Sequence, residues 1–454
     1  MTWLQLRPSN AFRIVLAGGF LLMLAANLPG HLSLDSVVAL HEGRFGVRET
    51  WSPAVVSWLL GRFDAILRGT GLFVTASALV LYVSLASLSD LRPRTAWTGP
   101  VAALAIILTP QLLLYQGIVW KDVLFANLAV AGFVCLAHAA NRWGARASVA
   151  PLIAAGLCLS LAALVRQNGL IAPAIAALVL VWLARGRGWR LSLAVGAGAF
   201  VAVMILAALI NSAVQPRTVA THLRPDAGLR VLQHYDLVGA AAHDPALQLD
   251  VLARTNPQAA ALIRREAVDA YSGERIDTLD IDPLLRRALW RNPDAVIGAQ
   301  WRDILKRRPG PYLAHRLEVF RWVLLTPEPD RCLPIHVGVS GPAQMLRDLQ
   351  ITADVDPADQ AVASFARRFV GSPVLSHATY AALAVVLAAF LLWRRDRADV
   401  VVAAMQVAAL GFAASFFVIS VACDYRYLYF LDLAALTGLA YVALDPRVSR
   451  SRAK

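Results

Sequence analysis

The chain has 454 residues, 58% of them hydrophobic, and a formal net charge of +13. A mean hydropathy of +0.57 excludes an ordinary soluble globular protein and a disordered or collagen-like chain. The charge does not point to nucleic acid. Residues 212–375 hold 20 basic and 19 acidic residues, so the excess falls on the apolar remainder, where positive-inside anchoring explains most of it.

Crossing the hydrocarbon core takes about 20 mostly apolar residues. Ten segments qualify, at roughly 11–28, 69–89, 98–116, 122–140, 150–165, 168–184, 191–211, 376–393, 399–422 and 427–444. The first is read as a retained span rather than a cleaved signal, because the later spans match its orientation. Placing the N-terminus in the cytoplasm puts sixteen Arg and Lys residues on the inside, among them Arg7, Arg92, Arg185, Arg394, Arg450, Arg452 and Lys454. The short outside loops then hold only seven. The expectation is an all-α polytopic membrane protein with both termini cytoplasmic.

The first outside loop, 29–68, carries Asp35 and then PAVVSWLLGRFDAILRG. Val56, Leu59, Leu60, Phe63 and Leu67 form one apolar stripe there, with Asp64 off it, which predicts an amphipathic helix along the outer surface. Lys121 and Asp122 open span four. Only three lysines occur in the chain. Neighbours on a helix point about 100° apart, so the two do not neutralise each other well. Arg166, Gln167 and Asn168 fill the turn after span five.

The body 1–211 is followed by an outside insert, 212–375, and then by spans eight to ten with a tail, 376–454. Five Asx-Pro pairs predict helix starts in the insert: Asp244-Pro245, Asn256-Pro257, Asp282-Pro283, Asn292-Pro293 and Asp356-Pro357. Late in the chain, Asp424 and Arg426 fill the last outside turn, and Asp432 lies inside span ten. An acid at membrane depth costs about 2.5–3.5 kcal/mol and needs a partner or a wet cavity. Asp432 is left unassigned, with Arg166 or Arg426 as candidate partners and the lining of a donor groove as the alternative. Of four cysteines, Cys135 and Cys158 lie in spans, while Cys332 and Cys423 face outside and are able to pair.

Acids and cations thus collect on one face, whereas the inside loops read as anchoring arginines. Group transfer from a lipid phosphate needs both kinds. Fixed cations stabilise the leaving phosphate, and a carboxylate accepts the proton of the attacking hydroxyl.

LSLDSVVALHEGRFG, WSPAVVSWLL, GIVWKDVLFA, LAALVRQNGLIAP and CDYRYLYF, in that order and on one side, resemble the polytopic membrane glycosyltransferases of the GT-C fold. That group includes protein O-mannosyltransferases and the aminoarabinose transferases of lipid A. QHYDLVG and WRDILKRRPGPYLAHR in the insert also resemble segments of bacterial relatives. The resemblance implies a bacterial inner-membrane enzyme with a periplasmic site. It implies a polyprenyl-phosphate-linked sugar donor, membrane lipid around it, and a glycan, lipid or protein acceptor. In that reading Asp35 is the base and Asp122 orients sugar, acceptor or a bound cation. Lys121, Arg166 and Arg426 hold the donor phosphate, Asn168 meets sugar hydroxyls, and Glu42 is a further substrate-binding acid. Many members have an acidic pair in the first loop. Here Ser36 follows Asp35 and the next acid is Glu42, so use of a divalent cation is left open. The alternatives are a transporter or flippase of lipid-linked sugars, and a glycan polymerase or ligase.

Overall fold

The computed structural model describes residues 7–50, 52–216, 218–220 and 227–447. Trp51 and the expected anchors Arg450, Arg452 and Lys454 lie outside the described residues.

Among the described residues, nine helices are long and apolar enough to cross a membrane: Pro8–Asn27, Gly71–Leu91, Lys121–Asn141, Arg146–Val165, Gln167–Arg187, Trp189–Ala213, His377–Arg394, Arg397–Ile419 and Tyr425–Leu444. A tenth crossing is available only as a broken one. Thr98–Ile107 and Pro110–Gly117 are bent by 68°. Pro110 explains the break, because a proline donates no backbone hydrogen bond and disfavours a helical residue before it. The sequence estimate of ten spans therefore matches nine helices plus this bent pair.

The polar side chains at the bend are satisfied inside the protein, as burial at membrane depth requires. Gln116 Nε2 donates to Asn127 Oδ1 at 2.9 Å and to the Tyr429 hydroxyl at 2.7 Å. That hydroxyl donates to the Gln111 carbonyl at 2.7 Å.

The chain divides into two compact units. One comprises Met1–Ala220, Ile335–Phe412 and Leu428–Lys454, and the other Thr221–Pro334 and Ala413–Tyr427. Residues 335–375, assigned by sequence to the insert, thus group with the spans. Leu32 N donates to Gly338 O at 2.9 Å, and Ser340 N to Leu32 O at 2.8 Å.

In the first unit, the loop after span one folds into two helices, Leu34–Phe45 and Ala54–Ile66. They approach so closely that a Cβ on Gly43 would stand 1.9 Å from the Ser57 carbonyl oxygen, so only glycine fits there. Of the predicted stripe on the second helix, Val56 and Leu60 are buried and Leu59 and Phe63 half-buried, while Leu67 is exposed and Asp64, placed off the stripe, is buried. Asp64 is drawn in by Arg44, whose Nε and Nη2 donate to its two oxygens at 2.8 and 2.6 Å. Burial pushes the Asp64 carboxyl up, but hydrogen bonds from Arg44 and Gly69 outweigh it and hold the carboxyl below its ordinary range.

The second unit is helical, with Ala227–His243, Pro257–Ala270, Pro283–Trp290, Asp294–Arg307 and Pro309–Leu325 around a core that includes Leu252, Ile263, Ile297 and Val319. The Asx-Pro expectation holds at Asn256, Asp282 and Asp356, whose side chains accept from helix N–H groups. It fails at Asp244, which follows a helix and caps a turn. It also fails at Asn292, whose amide turns back to the Ala288 carbonyl and leaves Pro293 as the cap of the next helix.

Candidate active site

Two helix starts in the first unit are laced together. His31 N donates to Gly117 O at 2.9 Å, and Val119 N donates to His31 O at 3.0 Å. Ser36 Oγ donates to Val119 O at 2.6 Å, and Trp120 Nε1 donates to Ser33 Oγ at 2.9 Å. These bonds set the first turn of Leu34–Phe45, with Asp35, beside the first turn of Lys121–Asn141, with Lys121 and Asp122. Exposed N–H groups at helix N-termini favour anions, so both acids sit where a negative charge is stabilised.

Asp122 is buried and pairs with Arg166, which begins the turn that also carries Asn168. The Arg166 guanidinium also lies 5.9 Å from the Phe412 ring. The turn is tight: a Cβ on Gly169 would stand 2.8 Å from the Ala162 carbonyl oxygen. Asp35, Lys121 and Asn168 are half-buried. The first unit therefore holds Asp35, Lys121, Asp122, Arg166 and Asn168. Arg426 belongs to the second unit, where its guanidinium lies 3.1 Å from Asp424.

Glu42 is engaged in the loop itself. Its Oε1 accepts from Glu49 N at 2.9 Å, Thr50 N at 2.7 Å and the Thr50 hydroxyl at 2.9 Å, and its Oε2 accepts from Ser57 Oγ at 2.8 Å. Both oxygens are engaged and the residue is buried, so Glu42 ties the loop together.

Asp432 has a partner that the sequence did not suggest. Its carboxylate lies 2.7 Å from His377 Nδ1. Sequence reasoning gave His377 no role, because its partner is 55 residues away.

The helix ends expected to face the cytoplasm also differ from expectation. Arg92 and Arg394, read as anchors, converge on the buried Asp399, which also accepts from the Tyr441 hydroxyl at 2.9 Å. Arg92 reaches Asp396 at 2.9 Å as well. Acids thus accompany the arginines at these helix ends, and Asp399 gathers them in a buried ion cluster.

A strand-like stretch around Gly338 brings further polar groups to the laced helices. Gly338 N donates to His31 Nδ1 at 3.1 Å, and the His336 ring lies 5.8 Å from Trp120. His31 Nε2 lies 2.9 Å from Asn27 Oδ1, and Asp359 Oδ1 is 3.3 Å from Nδ1. Burial, aided by His336 and opposed by Asp356, lowers His31 to about 4. Among the described residues, no group of three or more His, Cys, Asp or Glu is arranged to hold a metal ion.

No family model matches the chain, and no curated protein matches it. Solved structures do. The chain is similar to the oligosaccharyltransferase of Archaeoglobus fulgidus crystallised with Zn and sulfate, at 15% identity and a TM-score of 0.44, over 95% of this chain and 48% of that one. It is similar to the oligosaccharyltransferase AglB of the same organism, in complex with an inhibitory peptide and a dolichol-phosphate, at 16% identity and a TM-score of 0.41, over 94% and 50%. It is also similar to ArnT from Cupriavidus metallidurans, at 14% identity and a TM-score of 0.34, over 95% and 77%. These are membrane glycosyltransferases of the GT-C group that the sequence motifs resemble. The chain spans about half the length of the Archaeoglobus structures it matches. Likeness at this level carries no substrate, partner or residue role across to this chain.

Proposed function

We propose that this multi-pass membrane protein is a glycosyltransferase that moves a sugar from a polyprenyl-phosphate donor to an envelope glycan, lipid or protein acceptor on the periplasmic face of a bacterial inner membrane. The observation that carries the reading is the lacing of residues 31–36 to residues 117–120, which sets Asp35 beside Lys121 and Asp122.

In this reading the Asp35 carboxylate takes the proton of the acceptor hydroxyl. The hydroxyl oxygen bonds to the sugar's anomeric carbon as the bond from that carbon to the phosphate oxygen breaks. The electron pair leaves with the polyprenyl phosphate, and the anomeric configuration inverts. A positioned base contributes about 10²–10⁴-fold. Lys121 and Arg166 hold the phosphate, and Arg426, taken by itself in the second unit, is read as a phosphate-binding guanidinium. Asp122 fixes the guanidinium of Arg166 and orients the sugar or the acceptor. Asn168 offers its amide to sugar hydroxyls.

The test is a gene deletion complemented by wild type or by Asp35→Asn, with envelope glycans compared by mass spectrometry. One sugar mass should vanish in the deletion and return with wild type alone. Equal restoration by Asp35→Asn would remove the assigned base and shift weight to transport of a lipid-linked sugar. Transfer of a preassembled glycan would show as a change in product length.

A further inference from the structure

QHYDLVG and WRDILKRRPGPYLAHR, which resemble relatives but had no assigned role, meet inside the second unit. Arg316 and Asp236 are both buried, at 0% and 1% exposure. Arg316 Nη2 pairs with Asp236 Oδ1. Trp301 Nε1 donates to Asp236 Oδ2 at 2.7 Å, and His315 Nε2 lies 3.2 Å from Asp236 Oδ1. His315 Nδ1 is 2.9 Å from the Tyr271 hydroxyl. The other arm of Arg316 leaves its own helix. Its Nη1 donates to the Ser420 carbonyl at 2.7 Å.

Ser420 begins the segment that ends at Arg426, and the same segment is gripped at three further points. Ile276 N donates to Val421 O at 2.9 Å. Cys423 N donates to Glu274 O at 2.8 Å. Cys423 is also joined by a disulfide to Cys332. The Arg426 guanidinium then lies 5.7 Å from the Tyr427 ring, which stacks on Phe416 at 5.6 Å.

We propose that the Asp236–Arg316 pair is a positioning device. It fixes the backbone of residues 420–427 within the second unit and thereby sets where the Arg426 guanidinium is held. The inference rests on the proposed reading of Arg426 as a phosphate-holding residue. A buried ion pair is poor value for stability alone, since well-packed apolar residues of the same volume often do as well. What it adds is a fixed geometry, here a rigid plane with one edge on a carboxylate and another on a loop carbonyl. Groups that meet a reacting phosphate need such rigidity, because a misplacement of about 1 Å can cost about 10²-fold in rate.

The experiment uses the full chain in detergent with Arg316→Lys, Asp236→Asn, Arg426→Ala and the double variant Arg316→Lys/Arg426→Ala. Hydrogen exchange is read across the second unit, and binding is read with a polyprenyl monophosphate that carries no sugar. Exchange in 420–427 should rise at least about tenfold in Arg316→Lys and Asp236→Asn while the helices of the unit keep their protection. Arg316→Lys should weaken binding of the probe, and the double variant should bind no worse than Arg426→Ala. Unchanged exchange in 420–427, or additive losses in the double variant, would overturn the proposal. So would exchange that rises throughout the unit in both single variants, since the pair would then serve general stability. If Arg426→Ala binds the probe as wild type does, the phosphate reading of Arg426 fails, and the exchange result still decides whether the pair holds the segment.

Discussion

The His377 imidazole and the Asp432 carboxylate meet at 2.7 Å with both side chains fully buried, inside the helices His377–Arg394 and Tyr425–Leu444. Leaving a buried polar group without its hydrogen-bond partner costs about 1–3 kcal/mol. His377→Ala should therefore lower the melting temperature in detergent by several degrees. Asp432→Asn keeps an acceptor and should cost less. A melt of His377→Ala indistinguishable from wild type would show that the pair does not stabilise the helices.

Asp35 lies in the first turn of its helix and half-exposed, so its replacement leaves the packing of that helix intact. Asp35→Asn should express and melt as wild type yet lose transfer by about 10²-fold or more, the scale of a lost base. The envelope glycan profile reads the loss, and retention of wild-type transfer would exclude Asp35 as the base.

Asp122 and Arg166 should be energetically coupled, because the guanidinium contacts the carboxylate directly. In a cycle of Asp122→Asn, Arg166→Gln and the double variant, the coupling should fall within about 0.5–3 kcal/mol, read from polyprenyl monophosphate binding. Additive losses would mean that each residue acts alone.

His31 links acidity to stability. Its folded-state value of about 4 lies below its ordinary value of 6.5, so between those values the unfolded chain binds the extra proton. The stabilisation is fully present above pH 6.5 and is lost as pH falls toward 4, amounting to about 2 kcal/mol at pH 5. His31→Asn should flatten part of the fall in melting temperature between pH 7 and pH 5. His336, Asp356 and Asp359 face the same imidazole, so the remaining slope reports those groups.

The Cys332–Cys423 bridge closes a loop across a sequence separation of 91. A maleimide-polymer gel shift on the denatured protein should label two thiols before reduction and four after it, because Cys135 and Cys158 are free. Four labels before reduction would mean that the bridge does not form in the cell, against an oxidising periplasmic side. Opening it should cost about 2–5 kcal/mol of stability.

Spans were legible because each apolar run satisfies its own backbone within one helix, so length and hydropathy suffice. Even the defect in span three was marked, by Pro110. Asn256, Asp282 and Asp356 were legible as caps for the same reason, since a cap and its N–H groups lie within three residues. Asp244 and Asn292 show the limit of that rule. The same dipeptide caps a turn or faces backwards when a preceding helix already occupies the position.

Partners were not legible. The sequence left Asp432 unassigned, and the fold brings His377 to it. It offered Glu42 to a substrate, but Thr50 and Ser57 occupy it. It read Arg92 and Arg394 as anchors, but Asp399 gathers them into a buried cluster. A buried charge must be matched by whatever group the fold brings within about 3 Å, and no local period encodes that encounter. Composition and periodicity alone determined that this chain spans a membrane many times, carries a helical insert and keeps acids with cations at its loops. Only the tertiary structure decided which acid meets which cation, because the decisive pairs join residues far apart in the chain, 44 positions for Asp122–Arg166 and 307 for Arg92–Asp399.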